Sequence, residues 1–347
     1  MSSAAPTVLV TGGLGFIGSH TVVELAEAGF RSVIVDDLSN SSLDVLDRLA
    51  SLCRLAPVFQ RGDVRDADLL RSLLLEHPVD CAVHFAGLKA VGESVRIPLD
   101  YYSVNVGGTV SLMNALQERG VPKLVFSSSA TVYGNPDAVP IPETHRLAPR
   151  SPYGRSKLMA EQVIQDACAS DDRWSAVCLR YFNPAGAHPS ALLGERPSGV
   201  PNNLMPYISQ VGTGEREQLE IYGADYATSD GTGVRDYVHV VDLAQAHVRA
   251  ITRVLRERGF EACNLGTGRG YSVFEVVRAY ERANGVRIPY RMRARRDGDV
   301  DACVADPTQA AHQLGWRAVR SLDDMCRDAA RFEQASRMPS HRTAEPA

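Results

Sequence analysis

In the first half of the chain, short apolar and β-branched runs alternate with longer stretches whose apolar positions recur every three or four residues. The runs TVLVTG (7–12), SVIVDD (32–37), PVFQRGD (57–63), CAVHFAG (81–87) and KLVFSSSA (123–130) predict buried strands. The segments 17–29, 65–76 and 105–119 between them predict helices. Strands separated by helices imply right-handed crossovers and a parallel sheet covered on both faces, an α/β, doubly wound architecture. After residue 181 the pattern breaks. YFNPAGAHPSALLGERPSGVPNNLMPYI is rich in Pro, Gly and Asn and long for a plain connection, which predicts a binding loop on a rigid scaffold. The stretch 235–255, RDYVHVVDLAQAHVRAITRVL, again predicts strand then helix, rejoining the first domain.

A length of 347 residues fits two intimately packed domains, and 44% hydrophobic with 22% charged residues is ordinary for a soluble protein. The formal net charge of −4 provides no basic field for nucleic acid and no polybasic membrane signal. No apolar run approaches the roughly 20 residues of a membrane span, and MSSAAPTVLV lacks the features of a secretory signal. Seven scattered cysteines without a C-x-x-C pair argue against a disulfide framework and a zinc or other metal site, and for a reducing, cytoplasmic compartment.

The segment VLVTGGLGFIGSH places Gly12, Gly15 and Gly18 between a predicted strand and a predicted helix. Glycines there let the backbone approach a pyrophosphate, whose charge sits on the helix N-terminus. Asp36 ends the second predicted strand 18 residues after Gly18, where a carboxylate accepts a hydrogen bond from a ribose 2′-hydroxyl. It would repel a 2′-phosphate, and no arginine follows at 37–39, so the expected cofactor is NAD rather than NADP. Glycines that serve only close packing are the bland alternative. In GDVRD, Asp63 is a candidate for the adenine amino group; in FAGLK, the backbone from Phe85 to Gly87 passes under the dinucleotide and Lys89 reaches a ribose hydroxyl. A plain turn and a solvated lysine compete with these last assignments.

In SPYGRSK (151–157) Tyr153 precedes Lys157 by one helical turn, which puts phenol and ammonium on one face. Strand carboxyl ends face the ligand crevice of a doubly wound sheet, so Ser129 from SSSATVYG is expected to meet them beside the nicotinamide. A phenol with a pKa of ~10 needs roughly 4 kcal/mol of phenolate stabilisation to act near neutrality. A cation ~5 Å away at an effective dielectric of ~20 supplies roughly 3 kcal/mol, and the positive nicotinamide adds to it. Tyr153 is therefore the expected proton acceptor and donor, tuned by Lys157, with Ser129 holding the substrate oxygen.

Together with HFAGLKAVGES, LRYFNPAGAHPS, NNLMPYI, DGTGVRDYVHVVDLA and RRDGDVDACVADP, these motifs make the chain resemble the extended short-chain dehydrogenase/reductase family from about Val8 to about Phe332, and within it the UDP-glucose (UDP-galactose) 4-epimerases. The resemblance implies a Rossmann-type sheet with a smaller α+β substrate-binding domain. The expected division is 7–180 and 234–262 for NAD, 181–233 and 263–333 for the UDP-sugar, and a disordered tail at 334–347. It implies interconversion of UDP-galactose and UDP-glucose by transient C4 oxidation with bound NAD, rotation of the ketopyranose and re-reduction, in a homodimer. Further cofactor contacts implied are Phe16, Ile17, Asp37, Asn40, Ser41, Val64, Ala86, Asn105, Ser127 and Tyr181. The implied UDP-sugar contacts are Phe182, Asn183, Asn202, Asn203, Leu204, Leu219, Ile221, Tyr222, Arg235, Arg296 and Asp299. Cys303 matches the position near the sugar 2-substituent; a small residue there implies that the N-acetylated UDP-hexosamines interconvert too. Two residues depart from the pattern: Asp37, where asparagine is frequent, and Asp301, where proline is common.

Two rivals use the same fold. A nucleotide-sugar 4,6-dehydratase or decarboxylase is one; a dehydratase needs a carboxylate beside the serine, where this chain has Ala130, Thr131 and Val132. A non-catalytic NAD-sensing regulator has no need of Ser129, Tyr153 and Lys157 together.

Overall fold

A computed structural model describes residues 5–196, 201–296 and 299–337. Five strands and their crossovers come first: β1 (Thr7–Thr11), α1 (Phe16–Glu27), β2 (Arg31–Asp36), α2 (Asp44–Leu52), β3 (Val58–Arg61), α3 (Ala67–Glu76), β4 (Cys81–His84). They continue through α4 (Val91–Arg96), α5 (Pro98–Tyr102), a π-helical turn at Ser103–Gly107, α6 (Gly108–Glu118) and β5 (Lys123–Ser129). A 3₁₀ turn (Ala130–Val132), α7 (Pro152–Ser170), β6 (Ser175–Tyr181), β7 (Asn183–Ala185), α8 (Leu204–Gly212) and β8 (Leu219–Tyr222) follow. The last part holds β9 (Val234–His239), α9 (Val240–Arg256), β10 (Gly259–Leu265), β11 (Gly270–Ser272) and α10 (Val273–Asn284). It ends with β12 (Tyr290–Arg293), β13 (Ala302–Cys303), α11 (Thr308–Leu314) and α12 (Leu322–Arg337).

Seven strands form one parallel sheet in the order β10-β6-β5-β4-β1-β2-β3, a Rossmann-type arrangement. Central strands buried on both faces must be apolar throughout, which is why they read as unbroken runs. Alternate residues serve opposite faces: Val8 and Val10 join Leu243 and Ile251 of α9, whereas Leu9 joins Leu70, Leu112 and Ile164 of α3, α6 and α7. A smaller sheet runs β11-β9-β13 with β7 also on β9, and β8 pairs β12 in parallel. These cover a third core built on Met205, Ile208, Ile221, Val276, Tyr280 and Met325.

Three expectations need correction. The stretch 235–255 splits between layers: helix α9 packs on the large sheet, but β9 belongs to the smaller one. The large sheet gains instead its edge strand β10, which runs to Leu265 and pairs β6 in register from Gly259↔Ser175 to Leu265↔Tyr181, past the expected boundary at 262. Residues 334–337 of the expected tail are the end of α12; 338–347 lie outside the described residues. Among the described residues, no helix is long and apolar enough to cross a membrane.

Candidate active site

The turn after β1 needs glycine for two separate reasons. Gly12 has φ +71° with its amide donating to the Val35 carbonyl, and a side chain there would strike Ala86 backbone at 2.7 Å. A Cβ on Gly18 would lie 2.3 Å from the Gly12 carbonyl oxygen, so packing of turn on helix excludes one. Gly15 differs. Its missing Cβ would meet only the Gly12 oxygen, at 3.3 Å, leaving open space over the start of α1. Gly15 caps that helix without a side-chain bond, and no acidic residue occupies the first turn, so the amides around Phe16 and Ile17 form an N-terminus suited to a phosphate.

Asp36 is buried at the end of β2 and accepts from Leu14 N at 3.0 Å, Leu38 N at 3.0 Å and Ser41 Oγ at 2.7 Å. Three donors orient the carboxylate and leave capacity for a fourth. Asp37 binds the Ser39 amide and hydroxyl, and Asn40 lies in the turn between. Asp63, beside buried Val64, is paired with Arg65 at 2.5 Å, a partner that holds its carboxyl below the usual range. In the chain alone, then, the carboxylate expected to meet adenine is engaged by its own neighbour. Phe85 packs on His247 at 4.8 Å, and the Ala86 amide donates to the Thr11 carbonyl. Asn105, in the π-helical turn, accepts from Leu88 N at 2.8 Å and donates to Ser156 Oγ at 2.9 Å; its oxygen stands 2.9 Å from where a Gly87 Cβ would be. The Lys89 ammonium is held at 3.1 Å by Glu195, which also accepts from Asn203 Nδ2 at 2.7 Å.

Helix α7 starts where Ser151 Oγ accepts from Gly154 N at 3.1 Å and Pro152 fills the first position, so Tyr153 falls in the first turn. Tyr153, Lys157 and Ser129 are all buried. The Ser129 hydroxyl accepts from the Thr131 amide and hydroxyl at 3.2 and 3.0 Å. Lys157 Nζ donates to the Ser127 carbonyl at 2.8 Å and lies 4.9 Å from the centre of the Phe126 ring. Burial lowers the lysine to about 8, opposed chiefly by Glu161. Burial also pushes the Tyr153 phenol up, against a downward pull from Ser129. Burial therefore opposes the expected phenolate in the protein chain, in keeping with the need for a positive nicotinamide beside Lys157. Tyr181, at the end of β6, is hydrogen-bonded to His247 at 2.5 Å and also pushed up by burial.

On the sugar side, Phe182 and Asn183 leave β6 for β7, and Asn203 caps α8 next to Asn202 and Leu204. Leu219 and Ile221 are buried in β8, with Tyr222 stacked under Arg296 at 4.0 Å. Arg235 Nη2 donates to Asp299 Oδ1 at 2.6 Å, and Tyr226 donates to Asp299 Oδ2 at 3.2 Å. Cys303 pairs Arg235 in register and packs against the cluster of Ala130, Val132, Tyr133 and Phe182. Asp301, the unexpected residue, is held by Arg295 at 2.6 Å while its carbonyl accepts from Val234 N.

A profile described as GDP-mannose 4,6 dehydratase matches residues 9–329. A UDP-glucose 4-epimerase of Bacillus subtilis is 52% identical over 338 residues, 97% of this chain and 99% of its own. The mouse UDP-glucose 4-epimerase is 52% identical over 334 residues, 94% of this chain and 96% of its own. The chain belongs to the UDP-glucose 4-epimerase family. Solved relatives agree: the epimerase from Stenotrophomonas maltophila, with NAD and formylated UDP-arabinopyranose bound, superposes with TM-score 0.94 at 49% identity, covering 95% of this chain and 98% of its own. The Bifidobacterium longum epimerase in complex with NAD⁺ and UDP gives TM-score 0.92 at 48% identity, covering 95% and 98%. The dehydratase description of the profile spans a broader group, and the corner where a dehydratase needs a carboxylate is closed here by the Ala130–Val132 turn.

Three site neighbours escaped the sequence reading of this epimerase relative. Glu195 and Tyr226 lie 106 and 73 residues from their partners Lys89 and Asp299, so no local spacing reveals them. Arg65 was in plain view two residues from Asp63. Spacing of i, i+2 in a turn is a sufficient signal for such a pair.

Proposed function

We propose that this chain interconverts UDP-galactose and UDP-glucose with a retained NAD, and that Tyr153, Lys157 and Ser129 perform the proton chemistry. The observation that carries the reading is the burial of this trio around the carboxyl end of β5, in a fold whose β1–α1 turn is shaped for a dinucleotide. NAD, when bound, supplies the acceptor and then the donor of the two electrons exchanged at the sugar C4. Tyr153 takes the 4-hydroxyl proton and later returns it, and Ser129 holds the reacting oxygen. Lys157 keeps Tyr153 in a positive field. Arg235 and Arg296 grip the diphosphate, and Asp299 the uridine ribose, so that the nucleotide stays fixed while the 4-ketopyranose turns over. Asn203 and Lys89 leave Glu195 for their ligands. In this reading the large sheet holds the dinucleotide and the smaller layers hold the UDP-sugar.

The partly buried Cys303 thiol, small and packed against the cluster of Ala130 and Phe182, supports turnover of UDP-N-acetylglucosamine and UDP-N-acetylgalactosamine as well. Overpacking typically costs about 1–3 kcal/mol, so Cys303→Tyr is expected to depress the N-acetylated reaction about ten- to a hundredfold while sparing UDP-galactose. Equal losses on both substrates would place the gate elsewhere. Exposed Val91, Val95, Leu99 and Met159 on the mutually packed helices α4, α5 and α7 support a homodimer. Seven free cysteines support a cytoplasmic location. The activity itself is tested by incubating purified protein with UDP-galactose and no added cofactor: UDP-glucose should form without net NADH in solution. Accumulating NADH would indicate a dehydrogenase.

A further inference from the structure

Lys157 is surrounded by a polar cluster that the proton chemistry does not use. Glu161 lies one turn further along α7, on the same face as Lys157, and is almost fully buried. Its carboxylate receives four hydrogen bonds from residues of two strands. Arg180 of β6 pairs with it through Nη2 at 2.7 Å and Nε at 3.0 Å, with side-chain exposures of only 5% and 3%. Ser128 of β5 donates to Oε1 from between Ser127, whose carbonyl receives the Lys157 ammonium, and Ser129. Arg180 continues to Tyr133 at 2.9 Å, whose hydroxyl donates to Asn264 of β10 at 2.7 Å. The carboxylate thus clamps α7 to the strand end that carries both the lysine's acceptor and the substrate serine.

A buried ion pair is an expensive way to hold a helix, since apolar residues of the same volume usually do as well. Its position gives it another use. We infer that Glu161 is a positioning residue for the epimerisation: its carboxylate keeps Lys157 charged and seated on the Ser127 carbonyl across the working pH range. The inference rests on the roles proposed above for Tyr153 and Lys157.

The other groups facing this lysine do not substitute for Glu161. His84 of β4, lowered to about 3 by burial, is neutral, and the Cys178 thiol of β6 is held well above its ordinary range, so neither carries charge near neutrality. Tyr101 of α5 faces Tyr153 at 6.3 Å and donates to Glu93 of α4, whose carboxylate is turned to that phenol rather than to Lys157. Glu161 is the one carboxylate that raises Lys157, against the desolvation that draws it down to about 8. Removing its charge must lower the lysine further. The fraction of enzyme with a charged Lys157 then falls at a lower pH.

The test is the pH dependence of kcat in the NAD-loaded enzyme for Glu161→Gln and for the paired replacement Glu161→Gln/Arg180→Met, which does not strand Arg180 without its carboxylate and keeps the core filled. Both are expected to move the alkaline limb about one unit to lower pH, so that activity at pH 8.5 falls roughly fourfold more than at pH 7. Ser128→Ala, which keeps the carboxylate, should leave the limb in place. If the folded double variant loses activity evenly across pH, with the limb at its wild-type position, Glu161 is only a structural clamp and the inference fails. Wild-type turnover of UDP-galactose reports separately on the underlying reading.

Discussion

At the scale of single residues, the proposed chemistry turns on a phenol that burial pushes the wrong way. Tyr153 is buried and raised, with Ser129 drawing it back, and Lys157 is itself lowered to about 8 by burial. In the proposed reaction the positive nicotinamide would supply the further stabilisation that makes the phenolate accessible near neutrality. Tyr153→Phe removes the proton path while keeping the ring against Tyr101, and kcat is expected to fall at least 10²-fold with UDP binding little changed. Steady-state kinetics together with UDP titration check this; full activity in the variant would mean the proton leaves by another route. The Tyr–Lys spacing was legible because 3.6-residue periodicity puts i and i+4 on one face. What the ammonium does there was not: its acceptor is a carbonyl 30 residues away, at Ser127.

At the scale of elements, the turn between β1 and α1 decides whether the dinucleotide can be held. Gly12 and Gly18 are needed for packing, whereas Gly15 keeps the helix start open. Gly18→Ala would drive a methyl into the Gly12 carbonyl, which must displace the helix start. The variant is expected to be purified with under about a tenth of the wild-type NAD content, as measured after denaturation, because the helix amides lose their alignment. A fully loaded Gly18→Ala protein would contradict this geometry. Strands β1, β2, β4 and β5 were readable because burial on both faces demands unbroken apolar runs. The sheet to which β9 belongs was not readable, since hydrophobic period reports that a segment is a strand and says nothing of its neighbour.

At the scale of the whole molecule, stability should be sensitive to acid. Three buried histidines, His20, His84 and His247, are lowered by burial to about 3, 3 and 4, from an ordinary value of 6.5. Their folded values lie below their unfolded ones, so their contribution is complete above pH ~6.5 and declines as the unfolded chain takes up protons the native one refuses. Each histidine removes about 1.4 kcal/mol per pH unit, or roughly 4 kcal/mol per unit for the three, against a typical stability of about 5–15 kcal/mol. Carboxyls pushed up by burial, Glu24, Glu143, Asp236 and Glu333, offset part of that loss by binding protons in the folded state. Circular dichroism is expected to show cooperative unfolding between about pH 6 and pH 4. A chain still fully native near pH 3 would mean these histidines have solvent access the fold denies them.

Transient oxidation at C4, with the same two electrons returned to the same carbon, is the claim on which the other roles depend. UDP-galactose carrying deuterium at C4 tests it in one measurement. Turned over in ordinary water without added cofactor, it should yield UDP-glucose that retains the label at C4, because Tyr153 exchanges only the hydroxyl proton. Loss of deuterium to solvent would mean that C4 is inverted by proton abstraction, and the account of this site would be wrong.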